Sequence, residues 1–146
     1  MTPLLTTKGL SRSYGGLKAV DKVDFALMPG EIRAIIGPNG AGKTTFVSLV
    51  CGRVEPSAGT IVFDGSDITA LPAHQRVRRG IAYTFQITSV FANLTAYDNV
   101  ALPVQRTLAD GRGHGAVHAA VMAALARVGL AGRESMVAGT LSYGHQ

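Results

Sequence analysis

Gly37-Pro38-Asn39-Gly40-Ala41-Gly42-Lys43-Thr44-Thr45 is the stretch on which the fold turns. It follows an apolar run, Ile32 to Ile36, that reads as a buried strand, and it opens into Phe46-Val47-Ser48-Leu49-Val50, which reads as a helix. The pattern G-x-x-x-x-G-K-[ST] between a strand and a helix is the arrangement that wraps a phosphate chain in backbone amides. Glycines let such a loop curl without Cβ atoms in the way. The amides of Gly40 to Thr44 can then point inward as an anion-binding nest at the positive end of the following helix. Lys43 supplies a mobile positive charge for β- and γ-phosphates, and the Thr44 hydroxyl is placed to ligate Mg²⁺. Each charge-assisted hydrogen bond of this kind contributes roughly 1.5–3 kcal/mol. A Gly-rich turn with a chance Lys-Thr is the plainer reading, and the strand and helix on either side argue against it.

With 146 residues, 47% of them apolar and 16% charged, the chain has the balance of a globular domain with a sizeable core rather than of a disordered segment. Its most apolar helical stretch, Ala116 to Ala126, is too short to span a bilayer and meets Arg127 at once. The first residues, Met1 to Lys8, lack a basic region followed by an apolar one, so no secretion signal is expected there. The lone cysteine, Cys51, fits a reducing compartment and reads as a small packed thiol at the end of a helix. The net charge of +5 carries no nucleic-acid reading, because Arg76, Arg78 and Arg79 are expected on a solvated helix face rather than in a binding patch.

Along the chain, Leu4 to Leu10 reads as an edge strand before a turn at Gly15-Gly16, and Val23, Phe25 and Leu27 alternate as one face of a second strand. Pro29-Gly30 marks a turn ahead of a strand over 31–36. Thr60 to Phe63 reads as a strand closed by Asp64-Gly65, Pro72 to Arg79 as a short helix, and Ile81 to Phe85 as a buried strand ending at Gln86. Beyond Gln86 the character is helical. Thr95-Ala96-Tyr97-Asp98 resembles a capping box for a helix to about Gln105. Residues 106–115 read as a flexible Gly-rich connection, and Val117, Val121, Leu125 and Val128 recur at helical spacing before a cap at Gly129. His114 and His118 stand at i, i+4, but no Glu follows His114 and no third ligand is evident, so they read as exposed histidines rather than a metal site.

From about Leu5 to its last residue the chain resembles the ATP-binding subunit of an ABC transporter. Tyr14, in Tyr14-Gly15-Gly16-Leu17-Lys18-Ala19-Val20, lies where that family places the aromatic that stacks on adenine. Gly37 to Thr45 corresponds to its Walker A loop, so Gly37, Pro38, Asn39, Gly40, Ala41, Gly42, Lys43, Thr44 and Thr45 are implied to hold nucleotide. Gln86, after Tyr83-Thr84-Phe85, matches the Q-loop glutamine, and Leu141-Ser142-Tyr143-Gly144-His145-Gln146 resembles the LSGGQ signature. An aromatic face offers a purine a stacking platform worth about 1–3 kcal/mol by analogy with base stacking elsewhere. A neutral amide at Gln86 suits a switch that touches Mg²⁺ or its water and releases it. Ser142 and Gly144 would donate to the γ-phosphate held by an opposite subunit. The departure is His145, where the ATPases of branched-chain amino-acid uptake that the chain resembles usually have Gln.

The resemblance implies an α/β fold: an ABC-type P-loop NTPase core with an N-terminal antiparallel β subdomain and a helical subdomain, incomplete at the C-terminus. The division expected is 1–86 for the β and P-loop part and 87–146 for the helical part. It also implies ATP and Mg²⁺ as ligands, Lys43 and Gln86 in the catalytic machinery, and Thr44 and Gln86 at the metal. The implied partners are a second ATPase subunit, head to tail, and membrane-spanning permease subunits; the implied place is peripheral, at the cytoplasmic face of the inner membrane. Gly52 to Ile61, and the Thr84 to Ile87 and Asn93 to Val100 stretches, look like ATPases of branched-chain amino-acid uptake. Export of lipid or polysaccharide, or a non-catalytic nucleotide-binding product, are the alternatives. The family's Walker B aspartate, its adjacent glutamate and its switch histidine lie past the signature. The 146 residues alone are therefore expected to lack ATPase turnover and to leave two apolar strands without partners.

Overall fold

The computed structural model describes residues 2–85, 89–107 and 114–142. The chain divides into two compact units, Met1–Thr84 and Phe85–Gln146.

In the first unit, β1 (Leu5–Tyr14), β2 (Leu17–Leu27), β3 (Ala58–Phe63) and β4 (Ser66–Asp67) form one antiparallel sheet in the order β2-β1-β3-β4. The stretch read as an edge strand is therefore interior: Leu5 pairs with Leu27 on one side and with Phe63 on the other. The long hairpin through Gly15-Gly16 lays β2 along its outer side. The Pro29-Gly30 turn forms as expected, with the Glu31 amide donating to the Met28 carbonyl at 3.2 Å. Glu31 also closes the turn from its side chain, which accepts from the Met28 amide at 2.8 Å and pairs with Arg33.

Helix α1 (Lys43–Val50) buries Phe46, Leu49 and Val50 in one core with Leu5, Leu10, Val20, Ile61 and Ile68. Phe46 meets Phe25 edge to face at 5.3 Å. The helix ends in a Schellman cap: Gly52 donates to Leu49 at 3.1 Å and Arg53 to Ser48 at 2.9 Å. Gly52 has φ +74, and a Cβ there would lie 2.8 Å from Arg76 Nε, so the position admits no other residue without a shift.

Arg76 overturns its sequence reading. On α2 (Ala73–Arg78) it is 1% exposed, not solvated. Its Nη1 donates to the Leu49 and Val50 carbonyls at 2.7 and 2.8 Å, Nε to Leu71 at 2.8 Å, and Nη2 to Thr69 at 2.9 Å. Helix α1 leaves its last carbonyls without intrahelical partners and carries a partial negative charge at that end. The rigid fork of a guanidinium fits both needs. Cys51, next to it, is buried as expected; burial pushes its thiol up against the opposing pull of Arg76 and Arg53.

Two expected strands do not form. Residues 31–36 and 81–85 are not strands, and Ile32 and Ile36 are 99% and 90% exposed. A strand is stabilised by ladder partners, and the sheet formed by the described residues holds only β1 to β4, with neither stretch in it.

The second unit packs α3 (Ala96–Thr107) on α4 (His114–Arg127) through Ala101, Val121, Leu125 and Val117. Thr95 caps α3 as read: its hydroxyl accepts from the Asp98 amide at 3.0 Å and donates to the Asp98 carboxylate at 2.6 Å. Gly129 completes a Schellman cap on α4, with Leu130 donating to Leu125 at 2.9 Å. Both helices invade the supposed connection: α3 runs through Pro103 to Thr107 and α4 begins at His114, while 108–113 lie outside the described residues. His118 Nδ1 sits 3.2 Å from the Tyr97 hydroxyl, tying α4 to α3. Segment 134–139 is laced antiparallel onto 92–97, where Ala96 donates to Met136 and Ala138 to Leu94, both at 2.8 Å.

Replacing Arg76 with Met in the full chain leaves buried carbonyls without donors, and urea denaturation should show a loss of about 2–4 kcal/mol; a midpoint equal to wild type would show the clamp to be idle. The Met28 amide first, then Arg33, holds the Glu31 carboxyl below its ordinary value of 4.5. Its stabilising contribution is therefore present above that value and lost as pH falls through the lower folded one. Thermal melts of Glu31→Gln should show a shallower acid limb than wild type.

Candidate functional site

The loop 37–42 leads into α1, exposed over 37–41 and half-buried at Gly42, and its geometry is set by one close approach. Gly42 caps the helix in the left-handed conformation at φ 81, ψ 3. A Cβ on it would fall 2.0 Å from the Ala19 carbonyl oxygen of β2, inside any permitted contact. Only glycine brings the loop this close to the sheet. The first helical bond runs from Phe46 N to Gly42 O at 2.8 Å. Ahead of it, the amides of Lys43, Thr44 and Thr45 meet no backbone carbonyl among the described residues, which is the condition of a helix N-terminus open to an anion. The Ala41 amide, in contrast, turns inward to the Pro38 carbonyl at 3.2 Å.

Lys43 Nζ folds back over its own loop and donates to the carbonyls of Gly37 and Pro38, both at 2.7 Å. The ammonium is thus held at the mouth of the loop by oxygens that a polyanion can replace. Thr44, in the first turn of α1, is exposed. A cavity of about 250 Å³ runs beside the loop, lined by Ala19, Val20, Ile36, Gly42, Lys43 and Phe46.

The same approach brings the β1–β2 hairpin to the loop. Val20, adjoining Ala19, pairs with Arg12, and Tyr14 pairs with Leu17 at the hairpin end. Tyr14 is 47% exposed, with the Arg12 guanidinium 4.7 Å from its ring centroid. Tyr14 and Gly37–Thr45 thus both belong to the first unit, where the loop meets β2 at Ala19 and Val20. Ser142 belongs to the second unit, exposed and directly after buried Leu141. Gln86 and Gly144 lie outside the described residues. Arg12 escaped the sequence reading although it stands two residues from Tyr14 on a strand, a spacing that puts both side chains on one face. Arg76 had no such signal, since a six-residue Arg-rich helix shows no readable period.

The donor set fits the ligands of such a loop. Free amides at a helix N-terminus, an ammonium and a cradle that a Cβ would fill are chemistry for a nucleotide's phosphates. Mg²⁺ keeps several of its waters and takes phosphate oxygens, and the exposed Thr44 hydroxyl is one oxygen this loop could offer it.

A phosphate loop closing onto an antiparallel sheet, with a separate helical unit, defines an ATP-binding cassette. The chain belongs to the ABC transporter family, whose profile matches residues 20–146. It is similar to the lipopolysaccharide export system ATP-binding protein LptB of Escherichia coli (strain K12), with 46% identity over 101 residues, covering 69% of this chain and 42% of that protein. It is also similar to the high-affinity branched-chain amino acid transport ATP-binding protein LivG of the same strain, with 36% identity over 156 residues, covering 99% of this chain and 61% of that protein. The chain thus spans less than two thirds of the length of either relative. Among solved structures, the ADP conformation of MJ1267, an ATP-binding cassette of an ABC transporter, superposes with a TM-score of 0.79 at 25% identity, covering 99% of this chain and 61% of that one. A nucleotide-free ATP-binding cassette superposes at 0.80 with 26% identity, covering 97% of this chain and 60% of that one. The α/β fold of an ABC ATPase domain, antiparallel sheet and helices included, is therefore that of this chain.

The close approach separates two glycines that look alike in sequence. Gly40→Ala meets no atom within 4 Å and carries only the left-handed strain of φ +84, about 1–2 kcal/mol. Gly42→Ala adds a collision with Ala19, so its thermal midpoint should fall well below that of Gly40→Ala; equal midpoints would contradict the geometry.

Proposed function

We propose that this chain is the nucleotide-binding part of an ABC transporter ATPase that binds MgATP and, as part of the whole enzyme, powers import of branched-chain amino acids. The observation that carries the binding step is the open N-terminus of α1, fronted by Gly42 and by Lys43 on the loop carbonyls. In this reading Gly37 to Thr45 enclose the phosphates, Lys43 exchanges its carbonyl partners for phosphate oxygens, and Thr44 with Gln86 serves the metal. Tyr14 carries the adenine. Ser142 and Gly144 address the nucleotide of a second ATPase subunit facing head to tail, with permease subunits as membrane partners at the cytoplasmic face. Residues 1–86 form the β and P-loop part and 87–146 the helical part. The metal, when bound, screens the phosphate charge; every other contact named is this chain's own.

The amino-acid reading is supported by the match to LivG along nearly all of the chain. Lipopolysaccharide export is the second reading, favoured by the higher identity to LptB over a shorter stretch. Among the described residues, Asp64 and Asp67 belong to the β3–β4 turn region and Asp98 caps α3, so none of these three is suited to activate water. The 146-residue product should therefore bind without turnover.

Calorimetry on the full chain should give MgATP binding that Lys43→Met weakens at least tenfold, since a charge-assisted contact of roughly 1.5–3 kcal/mol is removed. Absence of heat with wild-type protein would end the binding reading, and sustained vanadate-sensitive hydrolysis would refute the inactivity of the 146 residues. In the source cell, Lys43→Met should abolish uptake of radiolabelled leucine; intact uptake with a lipopolysaccharide defect would move the assignment to export.

A further inference from the structure

We infer that Arg12 is a positioning residue for the nucleotide base: it covers one face of the Tyr14 ring and holds it, so that a purine stacks on the other face. The inference rests on the proposed role of Tyr14 as the base platform. A half-exposed tyrosine at the end of a two-residue hairpin has little packing to fix its ring. Arg12 supplies the missing restraint. It lies two residues back on β1, on the same side of the strand, with its guanidinium carbon 4.7 Å from the ring centroid. The guanidinium is itself anchored, because Nη1 donates to the Glu55 carbonyl at 2.9 Å, in the connection between α1 and β3. That connection is stitched to β1 twice more, by Ser57 N to Ser11 O at 2.8 Å and by Ser13 N to the Ser57 hydroxyl at 3.2 Å.

Arg12 is itself half-buried. Its Nε is buried and has no hydrogen-bond partner among the described residues, so this arginine has given up a water contact to lie where it does. Stacking of a planar cation on an aromatic face is the interaction that such a pose gains. An aromatic ring has two faces, and with one occupied the ligand's choice is settled. The cation also draws π density toward itself, which leaves the free face better matched to an electron-rich purine.

A second possibility is that Arg12 acts simply as a positive charge near a polyanion. Charge alone would favour any triphosphate, whereas a restraint on the platform favours only a ligand with a base. The test compares Mg-ATP with Mg-tripolyphosphate by calorimetry on the full chain in wild type, Arg12→Ala, Arg12→Lys, Tyr14→Ala and the double variant. Arg12→Ala should weaken ATP about two- to fivefold, the size of an exposed cation–π contact, and leave tripolyphosphate unchanged. Arg12→Lys should recover part of the loss. In the Tyr14→Ala background, removing Arg12 should cost nothing further. If Tyr14→Ala weakens ATP and Arg12→Ala does not, the inference falls and the platform reading stands. Equal weakening of both ligands by Arg12→Ala would also overturn it, as a charge or folding effect. If Tyr14→Ala binds ATP as wild type does, the platform reading itself fails, and the inference with it.

Discussion

Helix α1 is pinned at both ends, and the first unit is organised around those two pins. At its front, Gly42 lies against the Ala19 carbonyl so closely that no side chain could intervene. At its back, Arg76 gathers the Leu49 and Val50 carbonyls together with Leu71 and Thr69. The front pin brings the phosphate loop to the sheet, and with it the hairpin that carries Tyr14. The back pin is a buried charge for which no carboxylate supplies an ion pair among the described residues; four carbonyl dipoles take that place. Between the pins, Phe46, Leu49 and Val50 face the core and leave the amide end of the helix open. One eight-residue helix thus joins the hydrophobic core to the loop proposed to hold phosphate.

The two units obtain stability differently. The first depends on long-range pairing, with β1 bonded on both sides and residues some 40 positions apart stitched by Arg12 and Ser57. The second depends on local capping, by Thr95–Asp98 at one helix start and Gly129 at one helix end, with 134–139 strapped across 92–97. Leu141 closes its core, so Ser142 emerges from a firmly held residue.

Much of this was legible. The Pro29-Gly30 turn, the Thr95 cap and the Gly129 cap are local rules written in neighbouring residues, and each forms as read, while the glycine-rich loop opens into α1 as read but without the strand expected ahead of it. What failed depended on partners distant in sequence. Ile32 to Ile36 has the apolarity of a central strand, yet apolarity says only that a strand is possible; hydrogen bonds need a neighbour. Leu4 to Leu10 looked peripheral because sequence order is not sheet order. Arg76 looked solvated because arginine usually is, and only the carbonyls of another helix reveal its function.

Cys51 stands at the seam between α1 and Arg76, and it is the chain's sole sulfhydryl. Enclosure keeps that sulfur protonated and out of reach, so an alkylating reagent can capture it only during moments when the helix end comes unfastened. The molecule therefore carries its own stopwatch: the pace of labelling at one atom counts how often the rear of the phosphate helix lets go.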